Sequence, residues 1–348
     1  MEKLQVLIGR VLGRLNEKQR LVIERRYGLK NGTPSTLESI GKELKLTRER
    51  IRQIQNAAFA TLNADEVKSV FRPMMDATLT HLAALGGVRQ ENIFFDEVIH
   101  LIDEEGSKRE AVNRALDFIF QLYGSPKRLA EDRKFYAARY ARDSDLSKAK
   151  ELIVALERIS KQIGQPMDAD GFHGTLASAM KLSRLENEAT AIYYLGISKK
   201  FKLNPYGDFG LHTWQEISPK SMRDKAYLVM KKTGKPLHFS EINNAINTMK
   251  FDSRVAYPQT VHNELIKDKR MVLCGRGMYG LREWGIEPGT VKELMVRILK
   301  REGALGAEDL VRLVKTQRHV KDSTILIGLQ DKKSFRRLDD GRYRIRIA

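Results

Sequence analysis

The 348-residue chain has little cysteine and no long apolar segment. Its single cysteine, Cys274, cannot form an internal disulfide or a cysteine-based zinc site, which excludes a disulfide-stapled secreted scaffold and fits a reducing compartment. No uninterrupted apolar run approaches the roughly 20 residues of a membrane-spanning helix, and the N-terminus lacks the apolar core of a signal peptide. These absences predict a soluble protein of the cytoplasm with no membrane contact.

The usual signatures of catalysis and cofactor binding are also missing. The seven histidines are dispersed, and none forms a His-x-x-x-His pair or lies beside a carboxylate set suited to a metal. There is no Gly-Lys-Ser/Thr phosphate loop, no Gly-x-Ser-x-Gly elbow and no dinucleotide fingerprint. We therefore expect no enzyme activity, no catalytic residue, no metal, no cofactor and no small-molecule substrate.

The chain is rich in positive charge, and that charge is unevenly placed. Lys and Arg total 62 against 44 Asp and Glu, a net charge of +18. Residues 1–60 carry +7, residues 61–218 carry −2 and residues 219–348 carry +13. A cationic surface favours a polyanionic partner. Two basic ends around a near-neutral middle predict two separate contacts with such a partner, DNA being the obvious one.

Capping signals divide the N-terminal segment into short helices. Asn16 begins one helix, Thr36 begins a second over residues 37–44, and Thr47 begins a third over residues 48–62. Only residues 45–47 connect the last two. Two helices joined by so short a turn form a helix-turn-helix, which places its second helix in the DNA major groove.

The third predicted helix has one apolar side and one chemically mixed side. Its apolar stripe consists of Ile51, Ile54, Ala58 and Leu62. The other side carries arginine, which pairs with guanine, glutamine, which pairs with adenine, and glutamate, which accepts from cytosine. Such a face can read base edges, although on composition alone a solvated helix face is the alternative.

The spacing of this segment closely resembles the C-terminal promoter-reading part, region 4, of housekeeping bacterial sigma factors. The resemblance covers about 50 residues and is carried by Tyr27-Gly28-Leu29, Gly32, residues 36–41 and residues 47–54. It implies that the last helix binds double-stranded promoter DNA at the −35 element and that the preceding helices dock on the β flap of the bacterial RNA polymerase core. The resemblance also implies that Arg48, Glu49 and Gln53 contact the bases and that Thr47, Arg50 and Arg52 contact phosphates.

Two departures from the family pattern limit this expectation. Residues 54–62 lack the basic side chains that the family usually has there, so fewer phosphates should be contacted. Nothing in the chain resembles the aromatic-rich region with which a sigma factor captures the melted strand. We therefore do not expect autonomous promoter melting.

The remainder of the chain contains an internal repeat. Three stretches, residues 196–214, 266–284 and 329–347, each read as a helix end, a strand, a glycine-containing turn and a second strand, the wing of a winged helix. The matching upstream positions are Phe95, Phe172, Phe239 and Ala307, which lie 77, 67 and 68 residues apart. We expect up to four tandem winged helices, the first of them degenerate, with residues 133–140 as its wing.

The predicted fold is mainly α, a sigma-type helix-turn-helix followed by tandem winged-helix modules with small β-wings. The predicted domains are 1–64, sigma region 4-like helix-turn-helix; 65–143, degenerate winged-helix or helical module; 144–217, winged-helix-like module; 218–285, HARE-type winged helix; and 286–348, C-terminal winged helix.

The HARE assignment is a resemblance to a helix-turn-helix family found in DNA-associated proteins. It is carried by residues 237–242 and the wing at residues 277–281. That family divides between DNA contact and protein contact, so a basic surface that only docks protein is the alternative. The candidate DNA-binding residues of this repeat are Gln259, Thr260, Asn263, Lys267, Lys269, Arg270 and Arg276. Those of the last repeat are Lys332, Lys333, Arg336, Arg337 and Arg342, with Arg344 and Arg346 alternating on one strand face.

Trp214 and Trp284 occupy equivalent positions at the ends of two wings. We expect them to pack within their own modules rather than to stack on bases, since buried tryptophan more often serves packing.

These features predict a DNA-binding transcription protein that docks bacterial RNA polymerase and reads promoter DNA, with winged helices adding contacts to DNA or polymerase. Two alternatives stay open. One is a polymerase-independent regulator or architectural protein, and the other is the specificity module of a restriction or modification system.

Overall fold

The computed structural model describes residues 3–30, 32–104, 106–286, 288–318 and 320–346. The chain divides into two compact units, Met1–Phe201 and Lys202–Ala348. Both are built from helices with small antiparallel sheets, which confirms the predicted mainly α fold with small wings. Among the helices of the described ranges, none has the length and apolar character needed to cross a bilayer.

Unit 1 begins with the helix-turn-helix. Its helices are α1 (Leu4–Leu12), α2 (Glu17–Tyr27), α3 (Leu37–Leu44) and α4 (Arg48–Leu62). The predicted caps are in place: the side chains of Asn16, Thr36 and Thr47 each accept a hydrogen bond from a backbone N–H of the first helical turn. Gly28 ends α2 at φ 63°, a left-handed conformation that suits glycine.

A small apolar core fixes the angle between α3 and α4. Val22, Ile40 and Ile51 are fully buried, one from each of α2, α3 and α4. Leu37, Leu44, Leu46 and Ile54 surround them in partly buried positions. Because the turn contributes Leu46 to this core, the start of α4 is anchored by side-chain packing as well as by its cap.

The first repeat follows directly. Its elements are α5 (Asp65–Lys68), a 3₁₀ turn (Ser69–Phe71), α6 (Arg72–Ala84), β1 (Val88–Gln90), α7 (Glu91–Leu101), α8 (Arg109–Tyr123), β2 (Lys127–Leu129) and β3 (Ala138–Tyr140). The strands form an antiparallel sheet of order β1-β3-β2. The order of helices and strands is that of a complete winged helix, so only the sequence of this repeat is degenerate, not its fold.

Helix α8 joins the helix-turn-helix and the first repeat into one hydrophobic core. The ring of Phe118 lies 5.4 Å from that of Tyr27 and 6.1 Å from that of Phe59. The Arg114 guanidinium donates to the Gly28 carbonyl at 3.1 Å. Since α8 occupies the position of a recognition helix in its own module, that face serves packing and is closed to DNA.

Arg139 on β3 forms a buried ionic cluster in the first repeat. The residue is 4% exposed, and its guanidinium donates to Glu91 at 2.8 Å and to Asp117. The same group lies over the rings of Phe95 and Phe120, 5.3 and 5.4 Å from their centroids. One side chain thus ties the wing sheet to both α7 and α8.

The rest of unit 1 is helical, with α9 (Asp143–Ile163), α10 (Ala169–Leu182) and α11 (Glu188–Leu195). Helix α9 packs on both α10 and α11. The hydroxyl of Tyr194 donates to the Gly86 carbonyl at 2.7 Å, which connects α11 to the turn before β1.

The second repeat comprises these three helices and a hairpin of β4 (Phe201–Leu203) and β5 (Phe209–Leu211). The boundary between the units falls after Phe201, within β4. The third repeat comprises α12 (Met222–Thr233), β6 (Leu237–His238), α13 (Phe239–Met249), α14 (Pro258–Lys267), β7 (Met271–Leu273) and β8 (Met278–Leu281), with sheet order β6-β8-β7. The fourth comprises α15 (Val291–Glu302), α16 (Ala307–Gln317), α17 (Asp322–Leu329), β9 (Phe335–Arg337) and β10 (Tyr343–Ile345). Both repeats have the winged-helix order of elements. In the fourth repeat, an isolated β-bridge between Leu305 and Tyr343 takes the place of the first strand.

The two tryptophans pack against glycines of their own wings. A Cβ atom at Gly210 would lie 2.7 Å from the Trp214 ring, and one at Gly280 would lie 3.6 Å from the Trp284 ring. Glycine at position 210 therefore lets the Trp214 ring cover the strand. At Gly280 the closest neighbour of such a Cβ atom is instead Ile286, and the Trp284 ring is in ordinary contact. This agrees with the packing role expected for Trp214 and Trp284.

Candidate nucleic-acid interface

The polar face of α4 is open to solvent along its first two turns. Its exposed side chains include all the residues predicted there: Thr47, Arg48, Glu49, Arg50, Arg52 and Gln53. The opposite side of the helix is buried at Ile51, Ala58 and Leu62. The helix therefore presents its polar side chains together while its apolar side is held by the domain core.

The side chains of this face are bonded to one another. Arg52 donates two hydrogen bonds to the Glu49 carboxylate, at 2.8 and 2.7 Å, and Arg50 donates one to the Gln53 amide oxygen at 3.0 Å. The Arg52 guanidinium also holds the pKa of Glu49 below its usual range, so the carboxylate is ionised at neutral pH. Exposed pairs of this kind add little stability, so DNA can replace them at small cost.

Positive charge ends a third of the way along α4, at Arg52. Residues 54–62 contain no Lys or Arg, and the exposed positions there include Asn56, Ala57 and Ala60. The helix can thus approach phosphates only near its N-terminal end. Its electrostatic contribution to DNA affinity is correspondingly small.

Gly41 sets the distance between α3 and the turn before α4. A Cβ atom at this position would lie 2.7 Å from the Leu46 carbonyl oxygen, which belongs to backbone and cannot rotate away. We expect Gly41→Ala to lower the free energy of unfolding by about 1–3 kcal/mol, because the turn must shift. Chemical denaturation measures this.

Gly9 in α1 is the matched control, since a Cβ atom there meets nothing within 4 Å. Gly9→Ala should stabilise by up to about 1 kcal/mol through helix propensity alone. Equal effects of the two substitutions would contradict the packing role of Gly41.

The predicted residues of the third repeat lie on α14 and the wing that follows it. Gln259, Thr260, Asn263 and Lys267 are exposed on the helix, and Lys269 and Arg276 are exposed on the wing beside it. The Gln259 amide donates to Asn263 at 3.2 Å, and Lys267 pairs with Glu264 at 3.5 Å. Because Lys267 is ion-paired, this face offers fewer unengaged cations for phosphate than the sequence count suggests.

Arg270 is placed differently from its predicted neighbours. Its guanidinium pairs with Asp268 at 2.7 Å and with Asp224 at 3.1 Å, and it lies 4.6 Å from the centre of the Tyr227 ring. These contacts tie the end of α14 to α12. Two carboxylates already neutralise the group, which gives Arg270 a packing role rather than a free cation for DNA.

The predicted residues of the fourth repeat lie on the β9–β10 wing and the turn before it. Lys332, Lys333, Arg336 and Arg337 are exposed or nearly so, and Arg342 pairs with Asp340 at 2.7 Å within the tip of the wing. Arg344 lies on β10 and Arg346 directly follows it, and both side chains are exposed. The strand alternation in the sequence predicts this shared face but not the residues opposite it.

Groups of three or more His, Cys, Asp or Glu side chains that could hold a metal ion are absent from the part of the chain that the structure describes.

Comparison with known proteins assigns two segments of the chain. Residues 11–64 match the family model of sigma-70, region 4. Residues 220–284 match that of HARE-HTH, the HTH domain named after proteins that include ASXL and restriction endonuclease. Both resemblances expected from the motifs are therefore confirmed for these two segments, which together make up about a third of the chain.

Two curated relatives share the N-terminal segment. The RNA polymerase sigma factor RpoD of Helicobacter pylori, in each of two strains, is 43% identical over 72 residues. The match covers 20% of this chain and 11% of each relative. The chain thus spans about a tenth of the length of the curated relatives it matches.

Proposed function

We propose that this protein binds promoter DNA in the cytoplasm through α4 and docks on bacterial RNA polymerase, acting in transcription initiation or its regulation. Two observations together support the proposal best. Residues 11–64 match sigma-70, region 4, and all six residues of this segment expected to contact DNA are exposed in the cap and first two turns of α4.

Reading of the bases follows from the chemistry of that face. Arg48 can donate two hydrogen bonds to guanine, Gln53 can pair with adenine and Glu49 can accept from cytosine. Thr47, Arg50 and Arg52 would contact the flanking phosphates, which fixes the register of α4 without reading sequence. The bonds between Arg50 and Gln53 and between Arg52 and Glu49 hold these groups in an ordered array until DNA replaces them. The −35 promoter element is the proposed target.

Polymerase docking would use the helices that precede α4, with the β flap as the proposed partner. The apolar sides of α1 and α2 are already buried, at Ile8 and Leu12 in the first helix and at Ile23 in the second. Contact with polymerase would therefore involve the polar outer surface of these helices, where Arg25 pairs with Glu43 at 2.9 Å.

The double substitution Arg48→Ala and Gln53→Ala tests base reading. Each bidentate contact contributes about 1–3 kcal/mol of discrimination, so the preference for the selected duplex over a scrambled one should fall at least about tenfold. Fluorescence anisotropy with a duplex selected from a random pool measures both affinities. Lys148→Ala, which removes a charge from the exposed side of α9, is the control and should leave the preference unchanged. An unchanged preference in the double variant would show that α4 does not read bases.

Co-purification with RNA polymerase core tests docking. Retention on immobilised core, lost when unit 1 is denatured, is the expected result. Specific DNA binding without retention would instead indicate a polymerase-independent regulator. Failure to bind either core or duplex DNA above nonspecific affinity would refute the proposal.

A further inference from the structure

The C-terminal wing forms a strongly cationic groove. The β9–β10 hairpin and the end of α17 line a groove of about 780 Å³, here called the wing groove. Five positively charged residues line it: Lys332, Arg336, Arg337, Arg344 and Arg346. Of the described residues around the groove, none carries a carboxylate. The concentration of charge of one sign is therefore a property of the folded wing, not of sequence composition alone.

The strand register places two arginines directly opposite each other. Arg336 on β9 pairs with Arg344 on β10, and both side chains are exposed. Like charges directly opposite each other in a hairpin are destabilising. Two aspartates that flank β9 in the sequence, Asp331 and Asp340, are paired with cations other than these two arginines. Asp339 is exposed in the β9–β10 turn and is not among the residues that line the groove. The arrangement costs stability in the free protein, which points to an anionic ligand that offsets it.

Two carboxylates near the wing, Asp331 and Asp340, are engaged elsewhere. Asp340 pairs with Arg342 at 2.7 Å at the tip. Asp331 pairs with Lys292 and accepts hydrogen bonds from the Lys333 backbone N–H at 3.0 Å and the Ser334 hydroxyl at 3.1 Å. These partners hold the pKa of both aspartates below its usual range, so both stay ionised and fixed in place.

We infer that the wing groove binds the sugar-phosphate backbone of duplex DNA without regard to sequence. Guanidinium groups form bidentate, charge-assisted hydrogen bonds with phosphate, and an opposed pair can bracket one phosphate group. A single-strand site would need aromatic platforms for base stacking. The groove offers only Tyr343, half-buried, and Phe335, which is buried under the hairpin, so duplex backbone is the better fit.

The wing groove would also compensate for the small number of cations on α4. That helix has no cation after Arg52, so base reading there comes with little counterion release. We assign the two tasks to different modules: α4 selects the sequence and the wing groove supplies affinity for any duplex. This division of tasks rests on the proposed function, whereas the inference that the wing groove binds duplex DNA does not.

The variant Arg336→Thr/Arg344→Thr tests the groove in the full chain. A phosphate contact contributes about tenfold in affinity at 0.1 M salt, so binding of a random-sequence duplex should weaken on the order of 50- to 100-fold. The slope of log affinity against log salt should become shallower by about 2. The melting temperature of the DNA-free variant should be equal or higher, because the opposed charges are gone and threonine suits a strand.

Two further variants complete the design. Arg312→Ala/Lys315→Ala removes the same charge from α16 of the same repeat, where both residues are exposed and ion-paired, and should change affinity less than about twofold. Arg336→Lys/Arg344→Lys keeps the charge and should retain most of the salt slope while losing bidentate geometry.

The outcomes separate this inference from the proposed function. Unchanged affinity and salt slope in the threonine variant would overturn the wing site. Displacement of duplex DNA by poly-glutamate at equal charge concentration would overturn it in favour of an acidic protein partner. If the wild-type protein prefers no sequence but the threonine variant still loses affinity, base reading by α4 fails and the wing site stands.

Discussion

Replacing Phe118 with alanine lowers the free energy of unfolding of unit 1 by about 3–5 kcal/mol. Phe118 is completely buried in α8, and its ring contacts those of Tyr27 in α2 and Phe59 in α4. Removing the ring leaves a cavity at the point where the helix-turn-helix meets the first repeat. Both modules should therefore lose stability together, although the substitution lies outside the segment that matches a sigma factor.

Urea denaturation of the full chain, followed by far-UV circular dichroism and by an amide-exchange probe in α4, measures the effect. The control is Val6→Ala, a truncation on α1 of a side chain that is 53% exposed, and it should cost less than about 0.5 kcal/mol. Unchanged exchange protection in α4, with α8 destabilised alone, would contradict a shared core.

The second large effect is expected at Arg139. Arg139→Met removes a buried cation. Asp117, whose side chain is 49% exposed, loses this partner, whereas Glu91 keeps its pair with Arg128. We therefore expect a loss of about 1.5–3 kcal/mol, the range for a hydrogen bond to a charged group, rather than the larger cost of an unpaired buried charge. Methionine keeps the aliphatic bulk over Phe95 and Phe120, so the loss reports on charge rather than on a cavity.

A double-mutant cycle separates charge from packing. Because Arg139 and Glu91 bond each other directly, Arg139→Met/Glu91→Gln should cost less than the sum of the two single substitutions in thermal or chemical denaturation. Arg128, which pairs with Glu91 at 2.7 Å from an exposed position, provides the comparison: Arg128→Met should cost under about 1 kcal/mol. Additive single effects would show that the pair contributes no coupling.

Local sequence signals predicted the helix-turn-helix closely. Asn16, Thr36 and Thr47 are caps in the structure as expected, because capping depends on one side chain and the next few backbone N–H groups. The polar face of α4 was equally accessible to prediction, since helix periodicity alone places Arg48 and Gln53 away from Ile51. The proposed roles of these residues in DNA binding stay predictions.

Features that depend on tertiary contacts could not be predicted. Periodicity shows that α8 has an apolar side but not that α2 and α4 cover it. The local sequence around Arg270 gives no sign of Asp224, which lies 46 residues away in the chain and pairs with it at 3.1 Å. The opposition of Arg336 and Arg344 follows from hairpin register, which the turn geometry decides. In each case the missing information was the identity of the partner.

The shared core around Phe118 has a consequence for engineering. A chimaera that transfers only residues 11–64 into another protein would carry Tyr27 and Phe59 to a surface with no aromatic ring to cover them, and exposed patches of this kind promote aggregation. A graft that extends through α8 would include Phe118, whose ring contacts both Tyr27 and Phe59. The smallest segment that could be transferred with its aromatic core covered is thus larger than residues 11–64, which match the family model.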